Sequence, residues 1–418
     1  MQSFVLTMPN NLNRDAMCKE SMPPRQHFSV IGMTDEREVW FPPEVRDVIA
    51  GGHVFSGGKR HYEIVAPLLP EGAVWITITV PLEAVFEQYT GCSDVVVFAS
   101  GDPLFFGFAN TLRRELPDAV ITVYPSFNSL QLLAHRIQLP YADMRMVSLT
   151  GRPWDAFDRA LIQGERLIGA LTDRHKTPAA VASRMLEYGY DNYRMTVGEC
   201  LGNRQAEQVR SFASLDEAAA AEYAFPNCLI LEQTSLRTHP FGLPEKDFAL
   251  LDGRVNMITK MPIRLLTLSQ LDLARRTSFW DVGFCTGSVS IEARLQFPHL
   301  QVTSFEIREE GRSLMAQNAR KFGAPGINAI IGDFLEADLR MLPAPDAVFI
   351  GGHGGRLPEM LRRIDSVLLP GGVIVFNAVS EESQQRFRES VAAVGRSLTG
   401  EMRVAVGQFN PITILRAE

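Results

Sequence analysis

The sequence predicts an α/β fold in which an N-terminal domain of two α/β subdomains precedes a Rossmann-like C-terminal domain. Three observations predict it. Short β-branched runs alternate with helical stretches along the chain, the pattern of layered α/β proteins. An apolar strand near residue 280 runs into a glycine-rich turn and at once into a helix, the unit found at the ligand edge of a doubly wound sheet. The 418 residues, at roughly 150 per domain, make two or three domains, and a stretch without periodicity separates two α/β series.

Residues 1–26 are rich in Asn, Met and Pro and read as an N-terminal extension. They lack the early positive charge and long apolar stretch of a signal peptide. The domain at 27–236 opens with a strand at 28–33 (FSVIGM), a helical stretch at 43–50 and a strand at 53–56. Gly57-Gly58-Lys59-Arg60-His61 reads as a basic loop, and strands are expected at 73–80 (AVWITITV) and 94–100 (DVVVFAS). After Leu149-Thr150-Gly151-Arg152 the signals become hairpin-rich, with strands at 166–172 and 227–233 and a strand and turn at 193–202. A helix at 177–189 takes Thr177 as N-cap, Pro178 at its first position and Gly189 at its end. Residues 237–254 contain Pro240 and Pro244 without periodicity and read as a linker. The C-terminal domain, 255–418, carries strands in SFWDVGF, QVTSFEI, GINAIIG, PDAVFIGG and GGVIVFNA, and helices in GSVSIEARLQF and EEGRSLMAQNARKFG. No internal repeat relates the two halves.

Composition excludes several classes. With 46% hydrophobic and 21% charged residues the chain is globular, not disordered. A formal charge of −7 argues against sequence-independent nucleic-acid binding, which rests on phosphate neutralisation. No apolar run approaches the roughly 20 residues of a membrane span. Cys18, Cys92, Cys200, Cys228 and Cys285 are odd in number and contain no C-x-x-C, so neither a disulfide framework nor a cysteine zinc site is expected, and a cytoplasmic location fits. The histidines are scattered, and no protein-bound metal is expected.

The most informative stretch is Asp281-Val282-Gly283-Phe284-Cys285-Thr286-Gly287. Glycines let backbone approach a ligand closely, and a helix start offers free N–H groups. Glu306, about twenty residues on at the end of the next strand, suits an acid accepting from both ribose hydroxyls. Gly332-Asp333-Phe334 is placed to bracket an adenine. The nicotinamide pattern G-x-G-x-x-G would need glycine at Cys285 and Ser288. The S-adenosylmethionine pattern D-x-G-x-G-T-G is matched by Asp281, Gly283, Thr286 and Gly287, and Cys285 departs from it. A second glycine cluster surrounds His353 at 351–355, where a histidine can position a carboxylate or shuttle a proton. In the N-terminal domain, strand-end loops hold Gly101-Asp102-Pro103-Leu104-Phe105, Pro125-Ser126-Phe127-Asn128-Ser129 and Leu171-Thr172-Asp173.

The first 250 residues resemble the tetrapyrrole (corrin/porphyrin) methylases through VIGM, GGKRH, ASGDPLFFG, YPSFNSLQ, LTDRHKTPAAVA and VGECLG. The remainder resembles the decarboxylating class I methyltransferases of cobalamin biosynthesis through MITKMPIR, WDVGFCTGSVSIEA and FIGGHGG. Their fusion resembles the precorrin-6Y C5,15-methyltransferase family. The resemblance implies S-adenosyl-L-methionine as cofactor, a tetrapyrrole substrate, a homo-oligomer, methylation of carbon 5 by the first domain, and methylation of carbon 15 with loss of the ring C acetate carboxyl by the second. It places cofactor against Gly101, Asp102, Pro103, Leu104, Phe105, Ser129 and Thr172 in the first domain. In the second it places cofactor against Thr259, Gly283, Gly287, Glu306 and Phe334. Met261 stands where the family often has a charge.

Methyl transfer from a sulfonium needs an electron-rich carbon held in line, so the protein chiefly positions and excludes water. Asp102 and His353 are the candidates for a general acid or base; Asp102 reads equally as a turn residue. For the carboxylates of the acceptor, Lys59, Arg60 and His61 are candidates in the first domain, and Lys260, Arg264 and Arg356 in the second. Three other readings stay open: an NAD-dependent oxidoreductase, a half that only binds a tetrapyrrole, and a methyltransferase of another acceptor using the C-terminal domain alone.

Overall fold

The structure, a computed structural model, describes residues 25–254 and 256–418. Cys18 and the expected extension, apart from its last two residues, lie outside the described residues. The chain divides into two compact units, one ending at Asn128 and the other beginning at Ser129.

In the first unit, β1 (His27–Met33), β2 (Val54–Gly57), β3 (Val74–Thr77), β4 (Asp94–Ser100) and β5 (Val120–Tyr124) form a parallel sheet in the order β3-β2-β4-β1-β5. Phe28, Val30, Val95 and Val97 face one apolar core, and Ile31, Val96 and Phe98 face another. A parallel sheet covered on both faces needs continuous apolar strands, which is why DVVVFAS shows no polar alternation. Two expectations change here. The stretch 73–80 is strand only from Val74 to Thr77. Lys59, Arg60 and His61 are not a loop but the first turn of a helix, Lys59–Val65, with Gly58 at its N-cap. His61 Nδ1 accepts the Gly58 N–H at 3.1 Å, so a side chain three residues along does the capping that the double glycine hides.

The second unit holds two sheets. β6 (Arg145–Ser148), β7 (Leu167–Leu171), β8 (Tyr193–Glu199), β9 (Gln208–Ser211) and β10 (Asn227–Gln233) pair in the order β6-β7-β10-β8-β9, antiparallel except for β6 with β7. Between β7 and β8 the helix Pro178–Glu187 starts as the sequence dictates: Thr177 Oγ1 accepts the Ala180 N–H at 3.2 Å, and Gly189 has φ +68°. The other sheet contains β11 (Ser278–Val282), β12 (Gln301–Glu306), β13 (Ile327–Ile331), β14 (Ala347–Ile350), β15 (Val373–Ala378), β16 (Leu398–Val404) and β17 (Ile412–Ala417). Its order is β13-β12-β11-β14-β15-β17-β16, with β17 antiparallel to both neighbours. The sequence did not single out β16, β17 or the helices Met261–Gln270, Leu357–Asp365 and Glu381–Ala393.

One apolar core joins these two sheets. Ile168, Met195 and Leu229 from the first share it with Ile291, Leu295 and Met315 from the helices Ser288–Gln296 and Glu310–Phe322. A buried charge stands on each side of this core, Asp158 on one and Arg294 on the other. Arg184 grips Asp158 through two bonds of 2.7 Å. The Arg294 guanidinium, 1% exposed, donates to the carbonyls of Pro325, Pro298 and Leu300 at 2.7, 3.0 and 2.9 Å. Residues 237–254 are packed into the same body: Leu243, Phe248 and Leu251 are buried, and the N–H groups of Gly242 and Leu243 donate to Glu292 at 3.0 and 2.9 Å. Among the described residues no helix is long and apolar enough to cross a membrane.

Candidate active site

A cavity of about 800 Å³ opens at the carboxyl ends of β11 to β15. Its position follows from topology, since strand ends in such sheets carry the loops that ligands meet. Asp281 is the penultimate residue of β11, and the chain then bends at Gly283, φ +82°. A Cβ at Gly283 would lie 2.6 Å from the Gly352 nitrogen, so the two glycine loops seen in the sequence touch, and Gly283 has no room for a side chain. Gly287, φ +74°, starts the helix Ser288–Gln296. Cys285 takes the left-handed conformation with φ +51°. That aims its N–H at Glu306 Oε2, 2.8 Å away, while the Arg308 N–H and guanidinium hold Oε1 at 3.1 and 3.2 Å. Glu306 is thus fixed at the end of β12, 3% exposed. Burial, and then the Glu306 charge, raise the Cys285 thiol pKa, so it stays protonated and a poor nucleophile at neutral pH.

Asp281 is wholly buried. Burial pushes its pKa up to about 7 despite the hydrogen bond from Ser290. Asp281 Oδ1 and Thr286 Oγ1 are buried without a hydrogen-bond partner among the described residues, and both residues line the cavity. Such orphaned atoms are costly unless a ligand completes them. Together with the glycine bends and the Glu306 carboxylate they fit a nucleoside cofactor. Asp333 accepts from the Leu335 N–H and from Arg356, both at 2.9 Å. The Phe334 ring is turned into the core, edge-on to Trp280 and Phe305, which leaves chiefly its backbone for a ligand.

Across the cavity stand Thr259, Lys260, His353 and Asn377, with residues 408–410. His353 Nδ1 accepts the Gly355 N–H at 3.1 Å. The neutral ring therefore carries its proton on Nε2. Burial, and next the Arg386 charge, lower its pKa, so at neutral pH it is an uncharged donor. Lys260 lies over the Phe409 ring at 4.6 Å. Arg356 reaches the cavity while bonded to Asp333 and Glu359. Arg264 is a correction. It is 0% exposed, paired with the equally buried Glu292 at 3.2 Å, and donates to the Leu243 and Thr259 carbonyls. Its charge holds the linker and cannot meet a substrate. Met261 opens the helix Met261–Gln270, its N–H donating to Glu245. Arg308 and Asn377, which also line the cavity, were not singled out from the sequence. The latter had a signal: a polar residue interrupting the apolar strand VIVFNA at its carboxyl end.

In the first unit, Gly101 has φ +62° and donates its N–H to the Met33 carbonyl at 2.7 Å. A Cβ at Gly32 would lie 2.4 Å from the Gly101 oxygen, so strand β1 and this loop are in contact. Asp102 Oδ1 accepts the Leu104 N–H at 2.8 Å; the carboxylate closes the turn, as its alternative reading has it. Pro103 is buried, Leu104 exposed and Phe105 half-buried. Lys59 is exposed, and Arg60 lies 3.4 Å from Asp35 and donates to Ser100. His61 is a further correction: burial, and then the Arg60 charge, push its pKa down to about 4. It is neutral at pH 7, so it offers no cation to a carboxylate. In the second unit, Ser129 begins the helix Ser129–Arg136, and the Thr172 hydroxyl is held by Asn227.

A parallel sheet with one antiparallel strand inserted before its edge, and a glycine-loop cavity at its carboxyl ends, defines a class I methyltransferase domain. Residues 252–417 match the family model described as the precorrin methyltransferase domain, and residues 43–219 match that of the tetrapyrrole (corrin/porphyrin) methylases. A precorrin-6Y C(5,15)-methyltransferase [decarboxylating] of Sinorhizobium sp is 33% identical over 92% of this chain and 92% of its own. A cobalt-precorrin-6B C(15)-methyltransferase (decarboxylating) of Salmonella typhimurium is 35% identical over 40% of this chain and 85% of its own. A solved precorrin-6y C5,15-methyltransferase of Geobacter metallireducens is 32% identical, covering 43% of this chain and 99% of its own, with a TM-score of 0.40. The chain belongs to the decarboxylating precorrin-6Y C5,15-methyltransferase family.

Proposed function

We propose that this chain transfers two methyl groups from S-adenosyl-L-methionine to precorrin-6Y or its cobalt form, at carbons 5 and 15, and releases the ring C acetate carboxyl as carbon dioxide. The observation that carries this reading is the match along 92% of the chain to a relative of that activity, with both halves in the same order. Residues 27–236 would act on carbon 5, residues 255–418 on carbon 15 and the acetate, and 237–254 would join them. The same reading makes it a cytoplasmic enzyme that assembles with copies of itself.

When bound, S-adenosylmethionine supplies a methyl group already activated on a sulfonium. The chain's own residues hold and orient. Gly283 and Gly287 let the main chain approach the cofactor, and Glu306 offers its carboxylate to the ribose hydroxyls. Asp281 Oδ1 and Thr286 Oγ1 gain the partners they lack, and the main chain at Asp333 and Phe334 borders the adenine. In the first unit the main chain of Gly101 to Phe105 has the same task. Thr259 borders the acceptor side, where Lys260 and Arg356 meet acceptor carboxylates and His353 donates from Nε2. Lys59 and Arg60 serve the first site. Closure of the acceptor over the strand ends excludes water, which strengthens each of these interactions.

Calorimetric titration of the full chain with S-adenosylmethionine tests the cofactor reading. Two equivalents are expected, with no heat from NADH. A single equivalent removes one half from the reading, and tight NADH binding replaces it with an oxidoreductase.

A further inference from the structure

The cavity is chemically lopsided. Among the described residues that line it, the carboxylates are Asp281, Glu306 and Asp333, all at the ends of β11, β12 and β13. The wall built from β14, β15 and residues 256–260 and 408–412 carries Lys260, His353, Asn377, Gln408 and Asn410 and no carboxylate. Asn377 is the one amide on that wall that belongs to the rigid sheet. Its carboxamide is anchored from behind. Thr267, 0% exposed, donates to the Ile263 carbonyl at 2.8 Å, one turn back on its own helix. The same hydroxyl lies against the Asn377 carboxamide, accepting from Nδ2 at 2.9 Å and standing 3.1 Å from Oδ1. These contacts hold the carboxamide in place, and Nδ2 keeps a second N–H for the cavity.

We propose that Asn377, oriented by Thr267, is a positioning residue that grips a carboxylate of the acceptor at the class I site. The inference rests on the methyltransferase reading and deepens it. The polar groups of that wall can all donate, and none is a carboxylate, which suits an acceptor bearing several carboxylates. A donor fixed on a sheet edge loses little side-chain freedom on binding, unlike the long Lys260. Neutral amides also hold an anion without stabilising its charge as strongly as a guanidinium does. That suits a site where one carboxylate must later be lost.

The test uses the purified full chain with S-adenosylmethionine and the metal-free or cobalt-bearing precursor, following carbon dioxide release. Asn377→Ala and Thr267→Val should each raise the acceptor KM about 10- to 100-fold, the range for a lost hydrogen bond to a charged group. Asn377→Asp should raise it further, through repulsion. Thr267→Ser, which keeps the hydroxyl, should restore wild-type KM, and cofactor affinity should be unchanged throughout. Unfolding would lower the active fraction and leave KM alone. Unchanged acceptor KM in Asn377→Ala and Thr267→Val, with wild-type turnover intact, overturns the proposal. If the wild type itself releases no carbon dioxide with either precursor, the functional reading fails instead.

Discussion

Arg264→Met is the perturbation that most sharply separates a structural charge from a substrate contact. Arg264 and Glu292 are both 0% exposed. The Glu292 carboxylate accepts from Arg264 and from two backbone N–H groups, and Arg264 donates to two carbonyls. Removing the guanidinium leaves a buried carboxylate without its countercharge, a loss of about 3–5 kcal/mol. At about 2–4 °C per kcal/mol, the melting temperature should fall by roughly 6–20 °C. For a simple buried pair, replacing both partners with apolar side chains is often neutral. Here it should not be, because Gly242 and Leu243 would keep N–H groups without acceptors, at about 1–3 kcal/mol each. The double variant Arg264→Met, Glu292→Met should therefore recover only part of the loss. Thermal melts of both variants give the stability, and acceptor KM measured well below the melt gives the binding. An Arg264→Met melt within about 2 °C of wild type, joined to a large rise in acceptor KM, would refute the structural assignment.

Gly283→Ala should abolish cofactor binding at the class I site, because the new Cβ meets the Gly352 backbone at 2.6 Å and φ is +82°; calorimetry should then count one equivalent, and two would contradict the loop contact. Cys285→Gly should keep cofactor affinity and shift stability by no more than about 1 kcal/mol, since glycine relieves the left-handed strain but loosens the unfolded chain, and the N–H to Glu306 belongs to the backbone; lost affinity would mean the thiol itself contacts the ligand. The carboxyl of Asp281 has its pKa raised from 3.8 to about 7 by burial. Above pH 4 the folded state therefore holds a proton the unfolded state has released, and wild-type stability should fall as pH rises toward about 7. Asp281→Asn should flatten that part of the profile, as denaturant melts at pH 5 and pH 8 would reveal; an unchanged slope places the titration elsewhere.

The strand, turn and helix around Gly283 were legible because each step leaves a mark: an apolar run, glycines where φ is positive, and an immediate helix. Thr177 was legible for the same reason, as capping is local. Arg264 was misread because arginine ordinarily marks surface, and its partners Glu292 and Leu243 lie more than twenty residues away in sequence. His61 misled in two ways. Two glycines before a cation look like a loop, and neither the ring's role as the cap of Gly58 nor its loss of charge on burial has a sequence signature. β16 is half exposed and reads GEMR through its centre, so it lacks the apolar pattern that revealed the inner strands. Asn377 needed the topology, which brings the end of β15 beside the helix Met261–Gln270, more than a hundred residues upstream, as its bond to Thr267 records.

One chain is expected to perform two methyl transfers and one decarboxylation. Mass spectrometry of the corrin product, after incubation of purified protein with S-adenosylmethionine and the metal-free or cobalt-bearing precursor, tests it most directly. A gain of two methyl groups with loss of one carbon dioxide is expected, and Gly283→Ala should stop at one methyl with the acetate retained. A wild-type product carrying a single methyl, or no change in mass with either precursor while cofactor binds, would contradict it.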